Sequence, residues 1–291
     1  MQLLIINPIA GGRRARQVAG RAKDRIEAAG GTVRELLTER AGHGREHVAT
    51  ADLAGVTSVV AVGGDGTVLE VVEGLMERAP EERPALGLLP AGSGNSLAVE
   101  LDMADEARAT ARLLAGETRS LDLLHLTVDG QAMHSMNVLG WGAVAEINRR
   151  SEPMRFLGGT RYTLAALREI CRWRLSYPAV AIDGVAGEWL MGTACITRFV
   201  GSGMMMAPSA KLDDGLVDLV LVRAAGRFKL LGMLLAVFKG KHVNSPLVDY
   251  RQVAGFSLEL DAGSYLVLDG EILPARRVEA RVLPGALRLL A

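Results

Sequence analysis

Short apolar runs alternate with amphipathic stretches over the first third of the chain. The runs predict strands at 3–6, 33–37, 59–62 and 85–89. Helix-forming residues with apolar positions at helical spacing predict helices at 13–29, 66–78 and 105–114. This alternation is typical of a doubly wound α/β domain with a mostly parallel sheet. Gly116 supplies a helix-stop signal, so we place the end of this domain at residue 117.

The pattern changes after residue 119. Strand-like runs at 121–128, 180–182, 216–222, 256–260 and 265–268 are bounded by Asp-Gly or Gly-Ser turns. Two helical inserts interrupt them, at 162–174 and 227–242, and both are apolar in the middle with basic residues at their ends. The sequence therefore predicts a second, β-rich domain over 118–291.

Composition narrows the class of protein. Lys plus Arg and Asp plus Glu both number 33, so the chain has no net positive charge that would attract nucleic acid. Aromatic residues make up only 4% of the chain, so we do not expect a surface on which bases stack. Two cysteines cannot build a disulfide framework, which indicates a reducing, cytoplasmic setting. No apolar run approaches the length of 18 or more residues that a membrane span requires, so we expect any contact with lipid from outside the bilayer.

A first glycine-rich loop directly follows the first predicted strand and contains Asn7, Pro8, Gly11 and Gly12. Paired glycines let the backbone turn sharply and present free N–H groups, as a loop facing a nucleotide requires. An ordinary strand-to-helix turn uses the same residue types. Taken alone, this motif favours the ordinary turn.

A second loop follows the third predicted strand and holds Gly63, Gly64, Asp65, Gly66 and Thr67. Ligands bind at this position in open α/β sheets, and a helix N-terminus attracts phosphate. A plain turn needs one or two glycines, so three around a carboxylate indicate a functional loop. Because a carboxylate repels phosphate, Asp65 is expected to serve either the acceptor hydroxyl or a metal ion.

A third loop, with Gly92, Ser93, Gly94 and Asn95, follows the fourth predicted strand. Parallel strands end at the same edge of a sheet, so the three loops are expected to converge there on a nucleotide. The loops match neither the Walker motif nor the dinucleotide fingerprint, because no Gly-Lys-Ser/Thr follows and the glycine spacing differs.

Two acidic clusters lie in the second predicted domain, one at 211–215 and one formed by Asp269, Gly270 and Glu271. Each contains an Asp-Gly pair and by itself favours a hairpin turn. Beside a nucleotide site, Asp269 and Glu271 would also suit Mg²⁺, which prefers carboxylate oxygens. The five histidines lack metal-ligand spacing with cysteines or carboxylates, so we predict no zinc site.

Together these motifs resemble the diacylglycerol kinase and sphingosine kinase superfamily of lipid kinases. The resemblance rests on the three loops, on the stretch 203–218 and on 269–271, and it extends over essentially the whole chain. Stretches at 37–40, 73–78 and 93–98 favour the sphingosine kinase branch, since Ser96 stands where diacylglycerol kinases usually place Asp. The resemblance implies an α/β nucleotide-binding domain followed by a β-sandwich lipid domain, with ATP in the cleft between them.

The resemblance also implies roles for single residues. Asp65 is expected to take the proton of the lipid hydroxyl, and Asp269 and Glu271 are expected on the Mg²⁺ side. Phosphoryl transfer requires mainly positioning and neutralisation of charge, which arginines and a divalent ion supply. Beside the glycine-rich loops, the expected nucleotide contacts are Thr38, Arg155 and Arg161.

One departure from the family pattern concerns the lipid head group. Animal sphingosine kinases carry a carboxylate where this chain has Asn148, and Glu146 is the only nearby acid. Asparagine can hydrogen-bond an amine or a hydroxyl but offers no charge to an ammonium group. We expect a sphingoid base or a similar single-chain lipid alcohol, with a neutral diacylglycerol-like alcohol as a serious competitor.

The predicted helix at 227–242 is apolar nearly all round, with Leu231 and Leu235 on one face. Such a helix is usually buried core, but basic ends suit contact with lipid, so a wall of an acyl-chain pocket is the other interpretation. We expect an enzyme that works in the cytoplasm at the inner membrane surface, and a homodimer is left open. A catalytically silent lipid- or nucleotide-binding module and a soluble-substrate kinase such as an NAD kinase remain as alternatives.

Overall fold

The computed structural model describes residues 1–92, 94–157, 160–171, 180–187, 189–201 and 203–291. Within them the chain divides into two compact units. The first comprises Met1–Leu121 together with Gly285–Ala291, and the second comprises Asp122–Pro284. The end of the chain therefore belongs to the first unit.

The first unit is built around a parallel sheet. Its strands are β1 (Gln2–Ile6), β2 (Val33–Leu37), β3 (Ser58–Gly63) and β4 (Ala85–Pro90), and its helices are α1 (Ala10–Arg13), α2 (Ala15–Ala28), α3 (His43–Thr50), α4 (Asp65–Met76), α5 (Ser96–Glu100) and α6 (Glu106–Ala115). The four strands are parallel in the order β2-β1-β3-β4. The predicted doubly wound domain is confirmed.

The order of the strands places a crevice between β1 and β3. From β1 the chain crosses to β2 on one side, whereas from β3 it crosses to β4 on the other. Right-handed crossovers then put α2 and α4 on opposite faces of the sheet. All six residues of β3 are buried, as expected for a strand covered on both faces. A ligand site is expected at the carboxyl ends of β1 and β3, where the direction of winding reverses.

The remaining elements follow in chain order. They are β5 (Thr118–Val128), β6 (Gln131–Ser135), β7 (Val138–Gly142), α7 (Ala143–Ser151), α8 (Thr160–Ile170), β8 (Val180–Ile182), β9 (Val185–Gly187), β10 (Trp189–Cys195), β11 (Phe199–Val200), β12 (Met204–Met205), β13 (Val217–Arg223), α9 (Arg227–Val237), β14 (Val248–Val253), β15 (Gly255–Leu260), β16 (Tyr265–Leu268), β17 (Glu271–Pro274) and β18 (Arg277–Leu290).

The second unit is a β-sandwich. One antiparallel sheet has the order β14-β13-β10-β7-β16-β17, and the other contains β15 between β8 and β18. The fully buried ring of Trp141 on β7 lies 6.1 Å from the ring of Phe256 on β15, so aromatic side chains join the two sheets. The predicted β-rich architecture is confirmed, while strands β6, β7, β9, β10, β11, β12, β14, β17 and β18 were not predicted.

The C-terminal strand closes the first unit. Leu289 of β18 pairs in parallel with Leu86 of β4. The Arg83 guanidinium donates a 3.1 Å hydrogen bond to the carbonyl of Ala286, and Arg288 donates one of 3.2 Å to the carbonyl of Arg83. The domain limits 1–117 and 118–291 stay a prediction.

Two predicted helices have different bounds in the structure. The helix expected at 227–242 ends at Val237, because Gly240 adopts a left-handed backbone (φ 64°) and a 3₁₀ turn follows at Lys241–Asn244. The helix expected at 162–174 begins earlier, at Thr160, and its predicted end at 172–174 lies outside the described residues. Across the part of the chain that the structure describes, no helix has the length and apolar character needed to cross a bilayer.

Candidate active site

The three glycine-rich loops of the first unit meet at the carboxyl edge of its sheet. The main-chain N–H groups of Ala91 and Gly92 donate to the carbonyl of Gly63, at 2.8 and 3.1 Å. The amide of Asn7 donates to the hydroxyl of Thr67 at 3.2 Å. These bonds join the loops after β1, β3 and β4, so their predicted convergence is confirmed.

Several glycines of these loops are needed for packing between the loops. A Cβ added to Gly92 would lie 2.4 Å from the Cα of Gly64, and one added to Gly11 would lie 1.8 Å from the carbonyl oxygen of Ala91. A Cβ added to Gly94 would lie 2.7 Å from a carboxylate oxygen of Asp65. Gly66 differs, because nothing lies within 4 Å of its added Cβ. Gly66, like Gly12 of the first loop, therefore leaves room that a ligand could use.

Asp65 is the first residue of α4 and is half-buried. Its Oδ1 accepts a 2.7 Å hydrogen bond from the main-chain N–H of Ser96, and the hydroxyl of Ser96 lies 3.5 Å from Oδ2. Burial raises the pKa of Asp65, while hydrogen bonds from the backbone of Ser96 and Leu97 oppose the rise. A carboxylate with a raised pKa is a better proton acceptor. From the sequence, Ser96 only separated the family branches, and its contact with Asp65 was not predicted.

Asn95 shapes the third loop. Its side-chain oxygen accepts from the N–H of Gly92 and its amide donates to the carbonyl of Gly92, both at 3.0 Å. Asn95 itself adopts a left-handed backbone (φ 53°) immediately before α5, a conformation that asparagine tolerates. Asp65, Gly64 and Asn95 line a small cavity whose other lining residues are mostly apolar. Ser93 lies outside the described residues.

The other predicted residues of the first unit lie at the same edge of the sheet. Thr38 follows β2, is buried, and donates its N–H to the carbonyl of Ile6 at 2.8 Å. Pro8 is half-buried, and Gly12 adopts a left-handed backbone (φ 67°) within the irregular turn α1. The structure therefore brings the predicted first-unit residues, Ser93 aside, to one edge.

Asp269 and Gly270 form the two-residue turn between β16 and β17, and both have positive φ (49° and 98°). The carboxylate of Asp269 is buried. It accepts hydrogen bonds from the hydroxyl of Ser135 (2.9 Å) and from three successive N–H groups, those of Met136, Asn137 and Val138 (2.9, 3.1 and 2.8 Å). Burial raises the pKa of Asp269 to about 6, against these hydrogen bonds. Both carboxylate oxygens are thus committed to the segment between β6 and β7.

Glu271 is exposed at the start of β17. Among the described residues, no group of three or more His, Cys, Asp or Glu side chains could hold a metal ion. Mg²⁺ in phosphotransferases is often held by one or two carboxylates plus phosphate oxygens of the nucleotide. A single exposed carboxylate such as Glu271 fits that mode of binding, whereas Asp269 would first have to release its donors.

A charged cluster surrounds the predicted head-group residues on α7. Glu146 accepts hydrogen bonds from Arg149 (2.9 and 2.8 Å) and from Arg150, and Arg150 also lies 3.2 Å from Glu169. The hydrogen bond from Arg149 lowers the pKa of Glu146, although burial opposes it. The amide of Asn148 donates to the carbonyl of Val144 at 3.0 Å. Glu146 is therefore paired with cations of its own helix.

The remaining predicted residues lie on other helices of the second unit. Arg161 of α8 donates to the hydroxyl of Tyr162 at 2.6 Å, and its guanidinium lies 4.6 Å from the centre of that ring. The side chain of Arg155 lies outside the described residues. Leu231 and Leu235 are 36% and 66% exposed on α9, so of the two interpretations of this helix the buried core does not hold at these positions, and their role as substrate contacts stays a prediction.

Comparison with known proteins defines the class. The diacylglycerol kinase catalytic domain family matches residues 1–126, and the YegS C-terminal NAD kinase beta sandwich-like domain family matches residues 137–291. A crystal structure of a diacylglycerol kinase from Bacillus anthracis str. Sterne shares the fold, with a TM-score of 0.78 and 22% identity over 99% of this chain and 96% of that chain.

Two relatives are similar along nearly their whole length. The "Probable lipid kinase YegS-like" of Chromohalobacter salexigens is 34% identical, with 93% of this chain and 87% of that protein covered. Human sphingosine kinase 1 is 31% identical, with 97% and 88% covered. The chain belongs to the diacylglycerol kinase and sphingosine kinase superfamily, and it is an enzyme of the lipid kinase type. The family expected from the motifs is confirmed.

Proposed function

We propose that the protein transfers the γ-phosphate of ATP to the hydroxyl of a neutral long-chain lipid alcohol. The observation that carries this proposal is the placement of Asp65. Its carboxylate stands at the N-terminus of α4, among three converging loops, with Oδ1 held by the N–H of Ser96.

Asp65 acts in this proposal as the base that accepts the proton of the lipid hydroxyl. The hydrogen bond from the N–H of Ser96 occupies Oδ1 and orients the group, so Oδ2, which the Ser96 hydroxyl contacts at the longer distance of 3.5 Å, is assigned to the lipid hydroxyl. The raised pKa of Asp65 favours proton transfer, and the attacking oxygen becomes a better nucleophile as it loses its proton. Asp65→Asn should therefore stop transfer.

The phosphates of ATP are assigned to the loop edge of the first unit. The first turn of α4 offers N–H groups and the positive end of a helix dipole, and Gly66 leaves open space beside it. A bound divalent ion would neutralise negative charge on the transferred phosphoryl group. Glu271 is assigned to that ion on its resemblance to the late acidic motif of the family, whereas Asp269 holds the hairpin that carries Glu271.

The charges around Glu146 support a neutral head group. Glu146 and Glu169 are balanced by Arg149 and Arg150, and Asn148 has no charge. An ammonium group placed there would meet two arginines and would have to compete for Glu146. A hydroxyl needs only hydrogen-bonding partners, which Asn148 can supply. This shifts our expectation from a sphingoid base toward an uncharged alcohol.

The test is transfer from labelled ATP to acceptors presented separately: monoacylglycerol, diacylglycerol and sphingosine in matched vesicles, and NAD in solution. Asp65→Asn protein serves as the blank. We expect label in the glycerides and much less in sphingosine. Label in sphingosine at a higher kcat/KM would overturn the neutral head group, and label in NAD alone would overturn the lipid acceptor. Absence of label with every acceptor, despite ATP binding, would indicate a silent binding module.

A further inference from the structure

One face of α9, together with Phe238 that directly follows the helix in the same helical conformation, exposes four large apolar side chains. Phe228 is 92% exposed, Leu235 66%, Phe238 39% and Leu231 36%. They follow one another at intervals of three, four and three residues, so they lie along a single face, which we call the outer face of α9. The other side of the helix is buried through Leu230 and Val237, each 5% exposed. The helix is therefore anchored in its unit while presenting apolar groups to solvent.

Cations surround this face. Four Lys and Arg residues and no Asp or Glu occur between 227 and 248, in a chain whose formal net charge is zero. Lys229, Lys239 and Lys241 are exposed. Within the described ranges, none of these three lysines forms a salt bridge. The basic charge beside the outer face is thus available to an external anion.

The apolar outer face and the lysines beside it together favour one kind of binding partner over another. A second copy of this chain meeting the same face through a two-fold axis would bring cations against cations. An anionic bilayer satisfies both features together, because aromatic and aliphatic side chains enter the acyl boundary while lysines reach the phosphates. Each cation near such a surface strengthens binding by about fivefold.

We propose that the outer face of α9 docks the protein on the surface of a bilayer that contains anionic lipid. This role goes beyond the proposed function, because it requires neither ATP nor transfer of phosphate. Its chemistry is shallow insertion of the four apolar side chains, with Lys229, Lys239 and Lys241 at the level of the head groups.

The experiment is flotation with vesicles of phosphatidylcholine alone or of phosphatidylcholine with phosphatidylglycerol, without ATP. Wild-type protein is compared with Phe228→Ser/Leu235→Ser and with Lys229→Gln/Lys239→Gln. The matched controls are Val185→Ser, which changes a 70% exposed apolar residue elsewhere in the same unit, and Lys211→Gln. Because the changed side chains are exposed, thermal unfolding should be unaltered in every variant.

We expect wild type to float with the anionic vesicles and the apolar double variant to bind them at least tenfold more weakly, since each large side chain contributes roughly tenfold. The lysine double variant should lose affinity for anionic vesicles only, and both controls should bind like wild type. Unchanged flotation of the apolar variant would overturn the proposal, as would self-association abolished by the same substitution without any vesicle binding. If Asp65→Asn protein floats like wild type, docking on the bilayer does not depend on phosphoryl transfer, so the two proposals can fail independently.

Discussion

The main-chain N–H of Ser96 lies 2.7 Å from Oδ1 of Asp65 and joins the start of α5 to the start of α4. The residues are 31 positions apart in the sequence, and each follows a different strand of the parallel sheet. The bond fixes Oδ1, while the hydroxyl of the same Ser96 lies 3.5 Å from Oδ2, the oxygen that we assign to the lipid hydroxyl. Helix N-termini thus supply both the catalytic candidate and the group that orients it.

Replacing Asp65 with Asn should abolish transfer while ATP binding stays nearly unchanged. The amide oxygen can still accept from Ser96, so the local geometry should persist, but the amide cannot take a proton. A general base contributes about 10²–10⁴-fold, and kcat should fall by that order. Single-turnover transfer and calorimetric ATP titration measure the two effects. Asp24→Asn on α2 is the control, and turnover within a few-fold of wild type would remove Asp65 from the role.

Gly66→Ala should weaken ATP binding without loss of stability. The added methyl group meets no protein atom within 4 Å, so it would occupy only space assigned to phosphate. Affinity should fall on the order of tenfold, because overpacking costs about 1–3 kcal/mol. Gly20→Ala is the matched control, since Gly20 also lies in a helix with open space and belongs to none of the three loops.

The Gly20→Ala protein should bind ATP like wild type, and its free energy of unfolding should be higher by about 0.5–1 kcal/mol. Equal ATP affinity in all three proteins would count against the placement of phosphate at Gly66.

Activity should be lost at acid pH, and the midpoint of that loss should lie above the pKa of an ordinary aspartate. Burial raises the pKa of Asp65, and the base works only when ionised, so kcat/KM should drop as the pH falls through the raised pKa. Stability should move the other way. Between the unfolded and folded pKa values the native state holds the extra proton, so the free energy of unfolding should decline as the pH rises through that window.

Asp65→Asn should remove that part of the pH dependence of stability, which chemical denaturation at several pH values would measure. ATP affinity of the wild type should stay flat over the same range. A parallel loss of ATP binding would mean that the acid limb reports the nucleotide site instead of the base.

Asp269→Asn should destabilise the second unit. Its two carboxylate oxygens accept four hydrogen bonds, and an amide nitrogen would face an N–H donor. The loss should be about 1–3 kcal/mol, the cost of leaving a buried donor unsatisfied. Urea unfolding without metal or nucleotide checks this, with Asp261→Asn as the control. Wild-type stability combined with a raised Mg²⁺ requirement would return Asp269 to the metal side.

Glu271→Gln should raise the Mg²⁺ concentration needed for half-maximal activity while leaving unfolding unchanged. The side chain is exposed, and a hard divalent ion prefers a carboxylate to an amide. A Mg²⁺ titration of transfer is the measurement, with Glu259→Gln, another exposed glutamate of the same unit, as the control. Coincident titration curves would exclude Glu271.

The order of apolar runs determined the doubly wound sheet, because parallel strands separated by helices have few right-handed arrangements. It also determined that loops after β1, β3 and β4 share an edge, which is why the site around Asp65 could be located from Gly63 to Gly66 and from Gly92 to Asn95. The strand-like runs after residue 119 predicted the second, β-rich domain, and the Asp-Gly pair predicted the turn at Asp269-Gly270.

Tertiary structure alone decided what individual groups do within that outline. The bond from Ser96 to Asp65, the donors that occupy Asp269, and the return of 285–291 to the first unit all join residues distant in sequence, and local propensity does not encode such pairings. The exposure of Leu235 and Phe228 could not be predicted from the sequence either. A helix apolar all round has no periodic signal for its outer side, so only the packing of Leu230 and Val237 reveals which face solvent meets.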